Sequence, residues 1–99
     1  MRLKDDSVKV EGLSWRMFHA ALIAEAIYRK YGVEAIITSA KDGKHSEHSL
    51  HYQGLALDLR TWNLGGREMH VLGELKRALG PEYDVVLEKD HIHLEYDPA

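Results

Sequence analysis

Two short stretches carry the residues whose types and spacing could do chemistry. Ser49-Leu50-His51-Tyr52-Gln53-Gly54-Leu55-Ala56-Leu57-Asp58 holds an imidazole and a carboxylate. Asp90-His91-Ile92-His93 adds two imidazoles and a second carboxylate. A catalytic zinc takes three ligands from His, Asp or Glu and keeps its fourth position for water. His51, Asp58 and His93 can supply that set. The chemistry would be hydrolysis by a metal-activated water, with a nearby carboxylate to move the proton.

Those side chains converge only if the chain bends. A straight strand from His51 to Asp58 would put them on opposite faces and more than ~20 Å apart. Gly54 provides the bend, because a residue without Cβ permits a tight turn or bulge that folds His51 back over the strand carrying Asp58. Downstream the alternation is plain: His91, His93 and Glu95 share one face of a strand, and Ile92, Leu94 and Tyr96 share the other.

Ser49-x-His51-x-x-Gly54-x-Ala56-x-Asp58 followed by Asp90-x-x-His93 resembles the zinc D-alanyl-D-alanine carboxypeptidases, the vancomycin-resistance D,D-dipeptidases and the bacteriophage L-alanyl-D-glutamate endolysins. Hedgehog signalling domains share their fold. The resemblance implies that His51, Asp58 and His93 are zinc ligands, Asp90 the general base, and His91 the neighbouring imidazole that steadies the transition state. It also implies peptidoglycan peptides as substrate. Glu88 is a rival base, since Glu88-x-x-His91 repeats the same spacing; His91 would then be the ligand and His93 the helper. The resemblance favours Asp90 with His93, because the family places its base three residues before the ligand and an acidic residue two after, as Glu95 is here. Glu95 would orient that ligand or a strand partner.

One position departs from the family. Its members carry an arginine shortly after a Ser-Gly pair at the end of the strand preceding the first ligand, where it binds substrate. Here Ser39-Ala40-Lys41-Asp42 has none. Lys41, Lys44 or Arg60 could stand in, with Ser49 beside them in the motif, although the point charge of a lysine does not reproduce a bidentate guanidinium.

The 99 residues make one domain, 1–99, with room for one modest core and no separate wall-binding module. Net charge is -3 with His neutral, which argues against nucleic acid as the main partner. Seven His is the anomaly of composition. His19 and His70, on predicted helices, read as surface residues; the cluster at His45, His48, His51, His91 and His93 does not. There is no cysteine, so neither disulfides nor a thiolate metal site enter. Met1-Arg2-Leu3-Lys4-Asp5-Asp6 lacks the apolar core of a secretory signal, and no apolar run is long enough to span a bilayer. The expectation is a monomer, cytoplasmic as synthesised and not membrane-inserted, that reaches the cell wall on lysis or in a virion.

The elements that must position the site follow from periodicity. Val8-Lys9-Val10 has the alternation of a short edge strand. Ser14 reads as an N-cap, with Trp15, Phe18, Leu22 and Ala26 as the core stripe of a long helix, Ile23 and Ile27 beside them, and Gly32 as its C′ residue. Val33–Thr38 reads as a strand ending at Ser39. Residues 40–50 form a polar loop with an Asp42-Gly43 turn signal. Gly54–Arg60 is a half-buried strand with Asp58 and Arg60 on its polar face. Gly65-Gly66 turns into a second helix carrying Leu72, Leu75 and Leu79, flanked by Val71 and Ala78 and ended by Gly80-Pro81. Residues 83–88 and 91–96 make a hairpin around Lys89-Asp90.

The order predicts an α+β fold: a mostly antiparallel sheet, helices on one face, and a zinc site on the other. The leading reading is a zinc-dependent metallopeptidase hydrolysing L,D- or D,D-amide bonds of peptidoglycan, of phage-lysin type. A second is a non-catalytic zinc-binding module of the same fold. A third is a structural domain whose histidines only pack or bind water.

Overall fold

The computed structural model describes residues 1–40 and 54–98. Eight elements follow in chain order: β1 (Arg2–Leu3), α1 (Trp15–Lys30), β2 (Ile36–Ser39), β3 (Ala56–Arg60), a 3-10 turn (Trp62–Leu64), α2 (Glu68–Leu79), β4 (Tyr83–Leu87) and β5 (His91–Tyr96). The strands form one sheet in the order β1-β2-β3-β5-β4. Only β1 and β2 run parallel; β2–β3, β3–β5 and β5–β4 are antiparallel. This is the α+β fold expected, with β1 added at the edge.

Burial alternates along β5, whereas β3, expected to be half-buried, is buried on both faces from Ala56 to Leu59. Leu57 and Leu59 of β3, Ile92 and Leu94 of β5, Val85 of β4 and Ile37 of β2 join a core that contains the buried residues of both helices. Their neighbours Asp58, His91, His93 and Glu95 therefore face away from the helices. No helix among the described residues is long and apolar enough to cross a membrane.

Ser14 caps α1, its hydroxyl accepting from the Arg16 N–H at 3.2 Å, and Gly32 takes the left-handed conformation just past the helix end. The helix is nevertheless rotated from the expected stripe. Trp15 (67 % exposed), Phe18 (47 %) and Leu22 (64 %) face outward, as does Ala26, whereas Met17, Ala20, Ala21, Ala24, Ile27 and Tyr28 are buried. Apolar residues occupy more than one face of this helix, and the face lined by three alanines lets its backbone lie closest to the sheet. In α2, Val71, Leu72, Leu75 and Leu79 are buried as expected, and Ala78 is exposed. Val8-Lys9-Val10 is not a strand; Val8 enters the core from a non-strand segment, and the edge is built instead by Arg2–Leu3.

Gly54 has φ +72, and a Cβ there would lie 2.5 Å from the Gly12 carbonyl oxygen, so only glycine fits. Its own carbonyl accepts from the Ser14 N–H at 2.8 Å. The bend before β3 is thus pinned to the start of α1.

Candidate metal centre

Asp58 and His93 are direct partners in the β3–β5 ladder, and Arg60 and His91 are the next partners on the same face. That register, which the core residues Leu57, Leu59, Ile92 and Leu94 enforce, brings residues 35 positions apart into contact. Asp58 Oδ1 lies 3.0 Å from His93 Nδ1 and 3.7 Å from His91 Nε2. The other nitrogen of His93, Nε2, is 2.7 Å from Glu95 Oε1, and His91 Nδ1 is 2.7 Å from Asp90 Oδ1. Five side chains therefore form one chain of contacts: Glu95, His93, Asp58, His91, Asp90.

Burial divides this chain. Asp58 is buried and His93 half-buried, while the Asp90 side chain is 82 % exposed at the hairpin turn. Hydrogen bonding to Asp58, and secondarily to Glu95, raises the pKa of His93 above the ordinary imidazole value against the opposing effect of burial. Hydrogen bonding to His91 lowers the pKa of Asp90, with burial opposing. Glu88, the rival base, is exposed and contacts His91 through the backbone alone, its N–H donating to the His91 carbonyl at 2.8 Å.

The donors fit a divalent ion of zinc's type. A carboxylate oxygen and an imidazole nitrogen about 3 Å apart match two ligands at ~2.0 Å from one tetrahedral ion. The second nitrogen of that imidazole, held by Glu95, has the carboxylate partner that metal-ligating histidines use to fix their tautomer. His51, the third expected ligand, lies outside the described residues, as do Ser49, Lys41 and Lys44. Arg60 is described: its guanidinium stacks on Trp62, 4.5 Å from the ring centroid.

A second group could hold a metal ion. Asp84, Glu95 and Asp97 each offer a ligand atom, all within 4.8 Å of one another. Exposed acidic groups of this kind are common without an ion, and Glu95 is already engaged with His93. The ladder pairing of Asp84 with Glu95 creates the group. Sequence reasoning missed it because Asp84 reads as an ordinary exposed strand residue until the register is known.

No protein-family model matches the chain. Over 64 residues, 63 % of its length, it is 36 % identical to the Indian hedgehog protein of Gallus gallus. Over the same length it is 34 % identical to the Indian hedgehog B protein of Danio rerio. The aligned stretch is 16 % of each, so the chain spans about a sixth of the curated relatives it matches. The similarity to Hedgehog proteins is partial, and theirs is one of the folds that the two motifs resemble.

Proposed function

We propose that the chain is a zinc-dependent peptidase domain that hydrolyses amide bonds in the stem or cross-link peptides of peptidoglycan, working as a monomer. The observation that carries this reading is the continuous contact between a ligand-type pair, Asp58 with His93, and a base-type pair, Asp90 with His91. Zinc held by Asp58, His93 and His51 would supply a water of lowered pKa and polarise the scissile carbonyl. Asp90 would take the proton of the attacking water as the new C–O bond forms, and deliver it to the amine as the C–N bond breaks. His91, hydrogen-bonded to Asp90 through Nδ1, would line the position of the scissile carbonyl. Glu95 would keep His93 in the tautomer whose Nδ1 faces the ion.

The similarity to two Hedgehog proteins favours a second reading, a non-catalytic zinc-binding module. One experiment separates them. Incubated with purified peptidoglycan, the zinc-loaded peptidase releases new amino groups without new reducing sugars, and chelation abolishes the release until zinc is restored. Mass spectrometry of the products names the bond. A protein that binds about one zinc but frees no amine from any wall peptide is the module; one that takes up no zinc and shows no thermal shift with it sinks both.

A further inference from the structure

The sheet ends in two edges of unequal length. β1, on one side, is two residues long, whereas β4, on the other, runs for five residues and pairs only with β5 among the described residues. An unpaired strand of that length offers a row of backbone donors and acceptors to another chain. The ladder fixes which groups those are. The Glu88 N–H donates to the His91 carbonyl and the Asp97 N–H to the Glu82 carbonyl, both at 2.8 Å, so the bonds to β5 fall on residues 82, 84, 86 and 88. Val85 and Leu87 therefore turn both N–H and carbonyl outward, and Tyr83 its carbonyl, its N–H being held by the Gly80 carbonyl. A cleft of about 440 Å³ runs beside this edge, lined by Lys76 near the end of α2, the Gly80-Pro81 turn and residues 83–86. Its volume falls within the range of ligand sites.

Side chains divide by the period of two. Val85 is in the core with Tyr83 and Leu87 against it, while Asp84 and Val86 are exposed on the open face beside Glu95 and His93. From Glu82 to Glu88 the chain carries three carboxylates, at alternate positions, and no cation. Asp84 also gathers with Glu95 and Asp97. Lys76, the one cation lining the cleft, stands on α2, on the helix side.

These charges decide what the edge can accept. Antiparallel pairing with a second copy, centred on Asp84, Val85 or Val86, sets Asp84 against Asp84, Glu82 against Glu88, or Asp84 against Glu88. Like charges opposed in this way destabilise a strand pair. We propose that β4 accepts an extended segment of a partner protein, with lysine or arginine at every second residue and apolar residues between, as an added strand of the sheet. Main-chain bonds to Val85 and Leu87 hold it, its cations meet the carboxylates on the open face, and its apolar side chains lie toward Tyr83, Val85 and the cleft. The inference goes beyond the metal centre and does not depend on it.

The test uses a synthetic peptide, capped at both ends, that alternates lysine and valine over the length of β4. Its controls are an alternating glutamate–valine peptide, a lysine–valine peptide of the same composition in two blocks, and two N-methylated forms blocked at the valines or at the lysines. The alternating lysine peptide should bind the intact chain about tenfold tighter than either unmethylated control. Binding should slow amide exchange at Val85 and Leu87, whose N–H groups it covers, far more than at Asp84 and Val86. One N-methylated form should lose binding and the other keep it: loss at the valines means antiparallel addition, loss at the lysines parallel. Asp84→Asn combined with Glu88→Gln, both exposed positions, should weaken the lysine peptide about tenfold and leave the unfolding midpoint in place. No binding overturns the proposal, and so does equal binding of the block peptide or of both N-methylated forms, which would show charge attraction without strand addition. A chain that sediments as a dimer, with its Val85 and Leu87 amides protected before any peptide is added, overturns it in favour of a second copy.

Discussion

Two carboxylate–imidazole pairs lie two residues apart along β5 and share their chemistry but not their setting. Asp58 and His93 face each other across the two central strands, with side chains 11 % and 20 % exposed. Asp90 and His91 are chain neighbours where the hairpin turns, and the Asp90 carboxylate stands in water. The geometry of the contacts is similar, 3.0 Å against 2.7 Å. What differs is screening: water weakens the outer pair and reaches the inner one far less. The inner pair is therefore the more strongly coupled of the two, and the outer one the more open to solvent. His91 also holds the outer carboxylate below its usual pKa.

The largest effect that would break this contrast is in the inner pair. Asp58→Ala leaves His93 half-buried without its principal partner, and we expect a loss of about 3 kcal/mol of stability in the metal-free protein. In a domain of this size that lowers the unfolding midpoint by roughly 12–24 °C. The zinc-induced thermal shift should vanish with it. Calorimetry showing a fall of less than about 3 °C would mean that the inner pair is as well screened as the outer one.

Asp90→Ala is the matching change in the outer pair. It should leave the unfolding midpoint and the zinc content unchanged and reduce amine release by about 100-fold or more, the usual share of a general base. Glu88→Ala should do neither. If Glu88→Ala abolishes turnover while Asp90→Ala strips the metal, the roles of the two carboxylates are reversed.

A smaller effect sharpens the contrast from beneath the sheet. Tyr28, buried on α1 and held neutral by burial, donates its hydroxyl to the Arg60 carbonyl at 2.7 Å. Arg60 pairs with His91, so this bond ties the outer end of the ladder to the helix. Tyr28→Phe should cost about 1–2 kcal/mol. It should also accelerate amide exchange at residues 60 and 91 more than at 58 and 93. Uniform acceleration would show that the two pairs share one opening unit.

The shared strand face of His91, His93 and Glu95 was more legible in the sequence than the packing around it. His91, His93 and Glu95 alternate with Ile92 and Leu94, and a period of two fixes a common face without knowledge of the neighbours. Gly54 was readable as a turn because a conformation open to glycine is a local demand, whereas its close approach to Gly12, far back in the chain, was not readable. The rotation of α1 was not readable. Trp15, Phe18 and Leu22 keep helical spacing as well as Ala20, Ala24 and Ile27 do, and only the sheet's demand for a close approach selects between them. β1 was hidden for a related reason: two residues carry no period, and its parallel pairing depends on a strand over thirty residues away.

The smallest expected effect is a difference of slope with pH. In the metal-free protein, hydrogen bonds to Asp58 and Glu95 raise the pKa of His93 above the ordinary value of 6.5. The folded state thus binds the proton more tightly than the unfolded one. The stability this contributes is fully present below the unfolded pKa and is lost as pH rises through the folded pKa. Zinc reverses the dependence, because an ion on His93 requires the neutral imidazole and competes with that same proton. Midpoints measured from about pH 5.5 to 8.5 should show a contribution from this group that falls with pH without zinc. The shift produced by zinc should grow over the same interval. The Asp58→Ala variant should flatten both trends, since it removes the main cause of the raised pKa and a ligand together. A zinc shift independent of pH would place the ion away from His93, on carboxylates alone, and Asp84, Glu95 and Asp97 would then be its ligands.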